Sequence, residues 1–213
     1  MGADPTDPLP AGRRVAAFDF DGTLSRRDTL LPFLALAHGR RRTAQVLAEE
    51  ACRHLAGRGR AGRDHLKARV LGRLFAGDDP ARVAAVGRRY AATLPGRLRP
   101  QMLEQIAWHR RRDHEVVIVS ASLLAYLEPL GAELGVHHVI GVGLAIGDDG
   151  RLSGEITGLN VRGPEKAARL RAWFAGQDAT ELWAYGDSSG DQDLLAMATT
   201  AVWMDGRPRR KII

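Results

Sequence analysis

Two aspartates, Asp19 and Asp21, stand at the end of an apolar run that begins at Arg14. The run is rich in valine, alanine and phenylalanine, which is typical of a buried strand that ends in a loop. Because side chains alternate along an extended chain, both carboxylates can face roughly the same side. Two acids are therefore expected to share one small space.

Polar groups follow similar patterns at three later places in the chain. Ser120 and Ala121 end a second apolar run, where a hydroxyl and the free N–H groups of a starting helix can receive an anion. Lys166 opens a helical pattern, and Asp187 and Asp191 follow another apolar run. In an open α/β sheet, ligands bind beyond the carboxyl ends of the strands, so we expect these groups to meet.

Carboxylates gathered at one edge repel one another unless a cation neutralises them. Mg²⁺ prefers carboxylate oxygens and water as ligands, so the acids predict a magnesium site. A phosphate group completes this arrangement, because Mg²⁺, a lysine, a serine hydroxyl and backbone amides together balance the charge on its oxygens. The residues thus predict a site for a phosphorylated substrate.

The elements that must position these groups alternate between strand and helix. Beyond the first strand, apolar runs predict strands at 115–120, 139–146, 182–186 and 200–204, and a hairpin within 147–160 at the sheet's edge. Helical patterns between them cover 100–112, 122–134, 164–174 and 190–198. This alternation predicts an α/β fold with a doubly wound, mostly parallel, Rossmann-like sheet.

The stretch from residue 28 to residue 96 breaks the alternation. It has helical periodicity throughout and no convincing strand, with helices predicted at 29–37, 43–55, 64–75 and 80–93. We therefore predict an all-helical cap domain, 28–96, inserted into a catalytic α/β core that comprises 1–27 and 97–213.

The composition of the chain excludes several further classes of protein. The chain has 213 residues, of which 45% are hydrophobic, and a single cysteine, Cys52, which leaves no intramolecular disulfide and favours the cytoplasm. No stretch reaches the roughly 18 to 20 apolar residues of a membrane span, so stable membrane insertion is not expected. The net charge of +6 admits a nucleic-acid or anionic-surface binder, but the arginines are scattered without interleaved aromatics, and no nucleic acid is expected.

The chemical groups described above resemble the four motifs of the haloacid dehalogenase superfamily, in order and without substitution. The motifs correspond to Asp19-Phe20-Asp21-Gly22-Thr23, then Ser120, then Lys166, then Gly186-Asp187 with Asp191. The helical insertion between the first and second motifs resembles the C1-type cap of subclass IB, which includes phosphoserine phosphatases.

The resemblance implies a role for each acid. Asp19 is the nucleophile and forms an aspartyl-phosphate. Asp21 is the general acid and then the general base, and its backbone carbonyl joins the metal shell. Asp187 binds Mg²⁺ directly, and Asp191 acts through water or orients the ligands. Asp21 also argues against dehalogenase activity, because halide leaves without a proton.

The same resemblance implies which residues hold the phosphate and the rest of the substrate. Ser120, Lys166 and the amide of Ala121 bind the phosphate oxygens, and Thr23 helps to fix the loop. In the cap, Asp28 stands where phosphoserine phosphatases have a glutamate that faces the substrate's ammonium. The segment around Arg69 resembles the one whose arginine meets the substrate's carboxylate. For both cap residues, a surface salt bridge is the competing interpretation.

The resulting prediction is a Mg²⁺-dependent phosphatase for a small phosphorylated metabolite, such as phosphoserine or histidinol phosphate. A phosphotransferase or phosphomutase of the same superfamily is the first alternative. A lipid-phosphate phosphatase ranks lower, because the cap lacks a long apolar anchoring stretch. A binder of nucleic acid or of an anionic surface is the non-enzymatic alternative. The sequence leaves the oligomeric state open.

Overall fold

A seven-stranded sheet forms the centre of the computed structural model, which describes residues 12–56, 62–204 and 208–211. The predicted core and cap segments therefore include residues outside the described ranges, namely 1–11, 57–61, 205–207 and 212–213. The strands are β1 (Arg14–Phe18), β2 (Glu115–Leu123), β3 (His138–Ile146), β4 (Leu152–Thr157), β5 (Glu181–Gly186), β6 (Thr200–Met204) and β7 (Pro208–Lys211).

The strand order is β4-β3-β2-β1-β5-β6-β7, so the chain winds outward from β1 in both directions. β1 pairs in parallel with β2 and β5, and these pair in parallel with β3 and β6. The two edge strands, β4 and β7, are antiparallel to their neighbours. The predicted doubly wound, mostly parallel α/β fold is confirmed, and its order reverses at β1, where open α/β sheets bind ligands.

Eight α-helices accompany the sheet in the described ranges. Proline at the first turn begins several of them, where its missing N–H has no intrahelical partner to lose. None is long and apolar enough to cross a membrane. The helices are α1 (Leu30–His38), α2 (Arg40–Ala56), α3 (Arg63–Phe75), α4 (Pro80–Ala91), α5 (Pro100–Arg110), α6 (Leu124–Leu134), α7 (Pro164–Phe174) and α8 (Gln192–Ala196).

The first four helices, here called the cap helices, lie between β1 and α5 in the chain. α4 packs against α6, and α3 packs against β4. The approach of α4 is close enough that a Cβ at Gly87 would overlap the carbonyl of Ala125. The rings of Phe33 and Tyr90 of the cap helices also pack against that of Tyr126 of α6, the first tilted and the second edge-on, with centroid distances of 4.9 and 5.3 Å. Apolar packing thus seats the cap helices on the core.

The end of β2 and the start of α6 differ from the sequence-based expectation. β2 continues to Leu123, and α6 begins at Leu124 rather than at Ser122. The hydroxyl of Ser120 accepts a hydrogen bond from the amide of Ser122 at 3.1 Å, which competes with helix formation there. The predicted hairpin lies one strand earlier, because the segment 147–160 supplies only β4, which pairs with β3.

A buried histidine pair lies under the central strands. His109 Nδ1 lies 2.8 Å from His114 Nδ1, and His109 Nε2 lies 2.9 Å from the hydroxyl of Tyr185. The ring of Phe18 meets that of His109 edge-on at 5.9 Å. Burial lowers the pKa of His109 to about 3, and the neighbouring His114 and Arg112 act in the same direction.

This burial predicts an acid-sensitive fold. The unfolded chain binds a proton at a histidine pKa near 6.5, whereas folded His109 resists protonation down to about pH 3. Stability therefore falls as pH drops through this window, by about 2 kcal/mol between pH 7 and pH 5. Urea titrations at both pH values should show that His109→Gln loses about 2 kcal/mol less than the wild type. Equal losses in the two proteins would contradict this assignment.

Candidate active site

The nucleophile candidate Asp19 follows β1 directly and is held at the carboxyl end of the sheet. Its amide donates to the carbonyl of Tyr185 in β5 at 2.9 Å, which continues the pairing of the two strands. Its Oδ1 accepts a hydrogen bond from Lys166 Nζ at 2.5 Å. The same ammonium donates to Asp191 Oδ1 at 2.5 Å. One buried lysine, from the first turn of α7, therefore serves two buried carboxylates.

Asp19, Asp191 and Lys166 together carry more negative than positive charge when both acids are ionised. Burial raises the pKa of Asp19 to about 7, although the charge of Lys166 opposes the rise. Burial also acts against ionisation of Asp191, yet the ammonium of Lys166 and the hydrogen bonds to Asp191 hold its pKa below the usual range. Despite its burial, the pKa of Lys166 is raised by both carboxylates. Two acids compete for one cation, so the site has room for a further positive charge.

The turn after β5 fixes Asp191. Its Oδ2 accepts hydrogen bonds from the amide and hydroxyl of Ser188, at 2.9 and 2.8 Å, and from the amide of Asp187 at 3.2 Å. Ser188 and Asp191 cap the short 3₁₀ turn Ser189–Asp191 reciprocally. The loop thereby presents Oδ1 of Asp191 to Lys166 and leaves the side chain of Asp187 beside it.

Three carboxylates in the described part of the chain could hold a metal ion. Asp19, Asp187 and Asp191 each offer an oxygen, and the three oxygens lie within 4.8 Å of one another. Burial raises the pKa of Asp187, and the charge of Asp191 adds to the rise, as expected for acids gathered without a cation. Oxygen donors of this kind suit Mg²⁺. The donor set thus fits the metal that the sequence predicts.

Asp21, also predicted in the metal shell, directs its carboxylate away from these three acids and toward the cap helices. Its Oδ1 accepts hydrogen bonds from the amide and hydroxyl of Thr29, at 2.9 and 2.7 Å. Its Oδ2 accepts one from the hydroxyl of Ser122. Burial raises the pKa of Asp21, against the effect of these donors. The predicted metal contribution of Asp21 is its backbone carbonyl, so the carboxylate remains available for proton transfer.

Gly22 and Thr23 connect the first motif to the fourth. Thr23 Oγ1 donates to Asp187 Oδ1 at 3.4 Å, so its hydroxyl meets the acid predicted to bind the metal. Gly22 has φ of +93°, and a Cβ there would overlap Oδ2 of Asp187. The glycine therefore allows the first loop to approach the carboxylate closely.

Gly22→Ala should lower the phosphatase activity predicted from the motifs about 100-fold, because the added methyl group displaces Asp187 from the other acids. Gly150→Ala is the matched control, since Gly150 has φ of +75° and a methyl group added there would meet no atom within 4 Å. Both changes should cost about 1 to 2 kcal/mol of stability through the left-handed backbone. Steady-state kinetics and thermal melts separate the two effects, and equal activity of both variants would refute the steric argument.

A cavity of about 560 Å³ connects these groups to the cap helices. Its polar side chains include those of the predicted Asp19, Asp21, Ser120, Lys166 and Asp191, together with Ser122, and the predicted Ala121 lines it as well. The cap helices contribute seven apolar side chains, here called the leucine wall, which are Leu30, Leu31 and Leu34 of α1, Leu47 of α2, and Leu66, Val70 and Leu71 of α3. The cavity therefore combines a polar floor with an apolar wall.

The two predicted cap contacts differ in their positions. Asp28 lines the cavity, but its Oδ1 accepts a hydrogen bond from the amide of Leu31 at 3.1 Å and so caps α1. Arg69 is not among the residues that line this cavity. Its Nε donates to Glu50 Oε2 at 2.6 Å, which ties α3 to α2. The structure therefore does not bring Arg69 to the site, and the competing salt-bridge interpretation describes its contact.

Lys67 enters the cavity in place of Arg69, and the sequence analysis missed it. Its Nζ donates to Asn160 Oδ1 at 2.7 Å and to the carbonyl of Ala121. Burial lowers its pKa to about 8, although nearby Asp64 opposes the shift. The chain has only three lysines, and the same scarcity that draws attention to Lys166 could have drawn attention to Lys67.

Solved structures share this fold. A protein of unknown function from Bordetella pertussis Tohama I superposes with a TM-score of 0.72 at 24% identity, covering 90% of this chain and 89% of that one. A probable phosphoserine phosphatase from Vibrio cholerae gives a TM-score of 0.66 at 19% identity, covering 89% of this chain and 56% of that one. At these identities the likeness shows the fold.

Sequence comparison identifies the family. Protein CicA of Caulobacter vibrioides is 36% identical over 187 residues, which cover 86% of this chain and 82% of that protein. The family model of the haloacid dehalogenase-like hydrolases matches residues 16–196, which include all four motifs and the cap helices. The resemblance stated from the motifs is confirmed. The chain belongs to the haloacid dehalogenase-like hydrolase family.

Proposed function

We propose that this hydrolase is a Mg²⁺-dependent phosphomonoesterase that acts through an aspartyl-phosphate on Asp19. The observation that carries the proposal is the sharing of one buried lysine, Lys166, by Asp19 and Asp191 beside a third acid, Asp187. This arrangement puts a nucleophile and a cationic oxygen-binding group together at the polar end of the cavity. It suits a dianionic phosphate better than a neutral substrate.

In the first step, a carboxylate oxygen of Asp19 attacks phosphorus and the bond from phosphorus to the alcohol oxygen breaks. Asp21 gives its proton to that oxygen, so the product leaves as a neutral alcohol. The buried position of Asp21, which raises its pKa, favours the protonated form required here. The charge on Lys166 and the hydroxyl of Ser120 stabilise the oxygens that do not transfer.

In the second step, water attacks the phosphorus of the aspartyl-phosphate. Asp21, now ionised, removes a proton from this water, and the bond between phosphorus and Asp19 breaks to release inorganic phosphate. Thr29 donates to Oδ1 of Asp21 and Ser122 donates to Oδ2, and these hydrogen bonds hold the carboxylate in place for both proton transfers. The cap helices exclude other water from the cavity during the reaction.

Asp19, Asp187 and Asp191 would hold the metal, and the backbone carbonyl of Asp21 would complete the protein's contribution. Mg²⁺ when bound there supplies positive charge that stabilises the phosphoryl oxygens in the transition state. A cation there would also stabilise the ionised acids, because it would offset the burial and the repulsion from Asp191 that raise the pKa of Asp187.

Phosphate release from a panel of phosphomonoesters, measured with and without EDTA, tests this function. We expect turnover with Mg²⁺, a loss of at least about 100-fold in EDTA, and recovery when excess Mg²⁺ is restored. Phosphate that appears on an added sugar hydroxyl instead of in solution would identify the phosphotransferase alternative. Turnover that EDTA leaves unchanged would contradict the metal-dependent mechanism.

We further propose that the enzyme works in the cytoplasm. The support for this location is the single cysteine, Cys52, which lies exposed and free on α2. An exposed free thiol is typical of a reducing compartment. Fractionation of the native cells with an antibody to the protein would test this location.

A further inference from the structure

The leucine wall gives the cavity a chemical character that a small charged metabolite does not need. Its seven apolar side chains come from three different cap helices and line the same space as Asp19 and Lys166. A leaving group with an ammonium or carboxylate would lose hydration against these side chains without gaining a partner. An apolar leaving group would instead gain free energy from the same contact.

The charged side chains at this cavity are mostly engaged within the protein. Asp28 caps α1, and Asp64 accepts from the amide of Asn160 at 2.7 Å. Lys67 donates to the other side of that amide and to a backbone carbonyl. Arg162 donates to Ser189 at 3.3 Å. Besides Asp19, Asp21, Lys166 and Asp191, five charged side chains line the cavity; four of them are thus already hydrogen bonded, and the fifth, Arg63, is exposed to solvent.

The apolar lining also reaches the protein surface. Leu34 is 1% exposed, whereas Leu31, one turn earlier on the same face of α1, is 48% exposed. Both line the cavity. The leucine wall therefore runs from the buried interior to solvent, and an apolar chain longer than the cavity has a path out along α1.

We propose that the substrate is a phosphomonoester whose alcohol carries an apolar chain, with the phosphate at Asp19 and the chain against the leucine wall. This proposal rests on the phosphatase function proposed above and names the class of its substrate. The phosphate binds at the polar floor, and the contact between the alcohol's apolar chain and the leucine wall determines which phosphomonoesters are preferred. Hydrolysis follows the two steps already described and releases the apolar alcohol.

The test is a series of soluble alkyl phosphates, n-butyl, n-hexyl and n-octyl, measured beside glycerol 3-phosphate and O-phosphoserine. We expect kcat/KM to rise about tenfold for every two methylenes added, and to be lowest for the two polar substrates. A flat or falling alkyl series with preferred turnover of the polar substrates overturns this proposal and leaves the phosphatase function intact. No turnover of any phosphomonoester overturns both.

Variants locate the effect in the leucine wall. Val70→Thr places a hydroxyl in the wall at nearly constant shape, and Val83→Thr makes the same change on α4, outside the cavity. Val70 is 4% exposed and Val83 is 3% exposed, so the folding penalties are matched. Val70→Thr should lower the octyl-to-butyl ratio of kcat/KM at least about fivefold, whereas Val83→Thr should leave it unchanged.

A second variant, Leu47→Gln, is at a half-buried position and gives the same readout if Val70→Thr fails to fold. An unchanged octyl-to-butyl ratio in a folded wall variant overturns the proposal.

A further experiment distinguishes a membrane lipid from a soluble apolar phosphate as the substrate. It uses phosphatidylcholine vesicles that contain phosphatidic acid. Faster hydrolysis of phosphatidic acid than of octyl phosphate supports a bilayer lipid as substrate, and the reverse supports a soluble apolar phosphate.

Discussion

Asp19→Asn should abolish turnover, with a fall in kcat of at least about 10⁴-fold. The amide that replaces the carboxylate is a poor nucleophile and cannot form the aspartyl-phosphate, so the first step fails. It also removes one of the two anions that bind the ammonium of Lys166. Phosphate release under saturating Mg²⁺ measures the effect, and circular dichroism with a thermal melt establishes that the variant is folded.

The matched control is Asp148→Asn, which removes the same charge at an exposed position in the turn between β3 and β4. This variant should keep the wild-type kcat, because its side chain lies outside the cavity. Residual activity of Asp19→Asn above about 1% of wild type, with the protein folded, would exclude Asp19 as the nucleophile. Another group would then have to attack the phosphorus.

Lys166→Met should destabilise the fold by about 3 kcal/mol as well as impair turnover. Methionine fills a similar volume but leaves Asp19 and Asp191 buried with no counter-charge from the protein. Their mutual repulsion and lost hydrogen bonds then favour the unfolded chain. Urea titration in EDTA measures this loss without compensation by a metal ion. We expect kcat/KM to fall about 10²- to 10³-fold, because the phosphate loses a cation.

Two comparisons separate the charge effect from packing. Lys67→Met makes the same change where the acceptors are neutral, so it should cost only about 1 kcal/mol. The double variant Asp19→Asn with Lys166→Met removes one of the stranded charges and should be more stable than Lys166→Met alone. If the double variant loses the sum of the two single losses, the two side chains are not coupled.

The polar floor of the site could be predicted from the sequence because each of its residues is fixed by local structure. Asp19 follows a strand of the sheet, as does the neighbouring Asp187, and Lys166 lies in the first turn of a helix. Parallel strands bring their carboxyl ends to one edge, so chain order and strand position suffice to gather these groups. Apolar runs and glycine-containing turns mark those positions in the sequence.

The residues that the cap helices contribute to the cavity could not be predicted in this way, because their positions depend on how the four helices pack. Residues 67 and 69 are two positions apart and therefore lie on nearly opposite sides of α3. Motif resemblance favoured Arg69, yet the helix turns Lys67 toward the cavity and Arg69 toward Glu50. The leucine wall escaped notice for the same reason, since its members are dispersed over three helices and no single apolar stretch of the sequence contains them all.

The hydrogen bonds from Thr29 to Asp21 link the position of α1 to the protonation of the Asp21 carboxyl. Thr29 is the residue just before α1, and its hydroxyl also lies 3.1 Å from that of Tyr126. Any displacement of α1 changes both the burial of the Asp21 carboxyl and its donors. Because linkage is reciprocal, protonation of Asp21 must change the free energy of displacing α1 by the same amount as that displacement changes the free energy of protonating Asp21. In the mechanism proposed above, each proton transfer at Asp21 would therefore also shift the free energy of displacing α1.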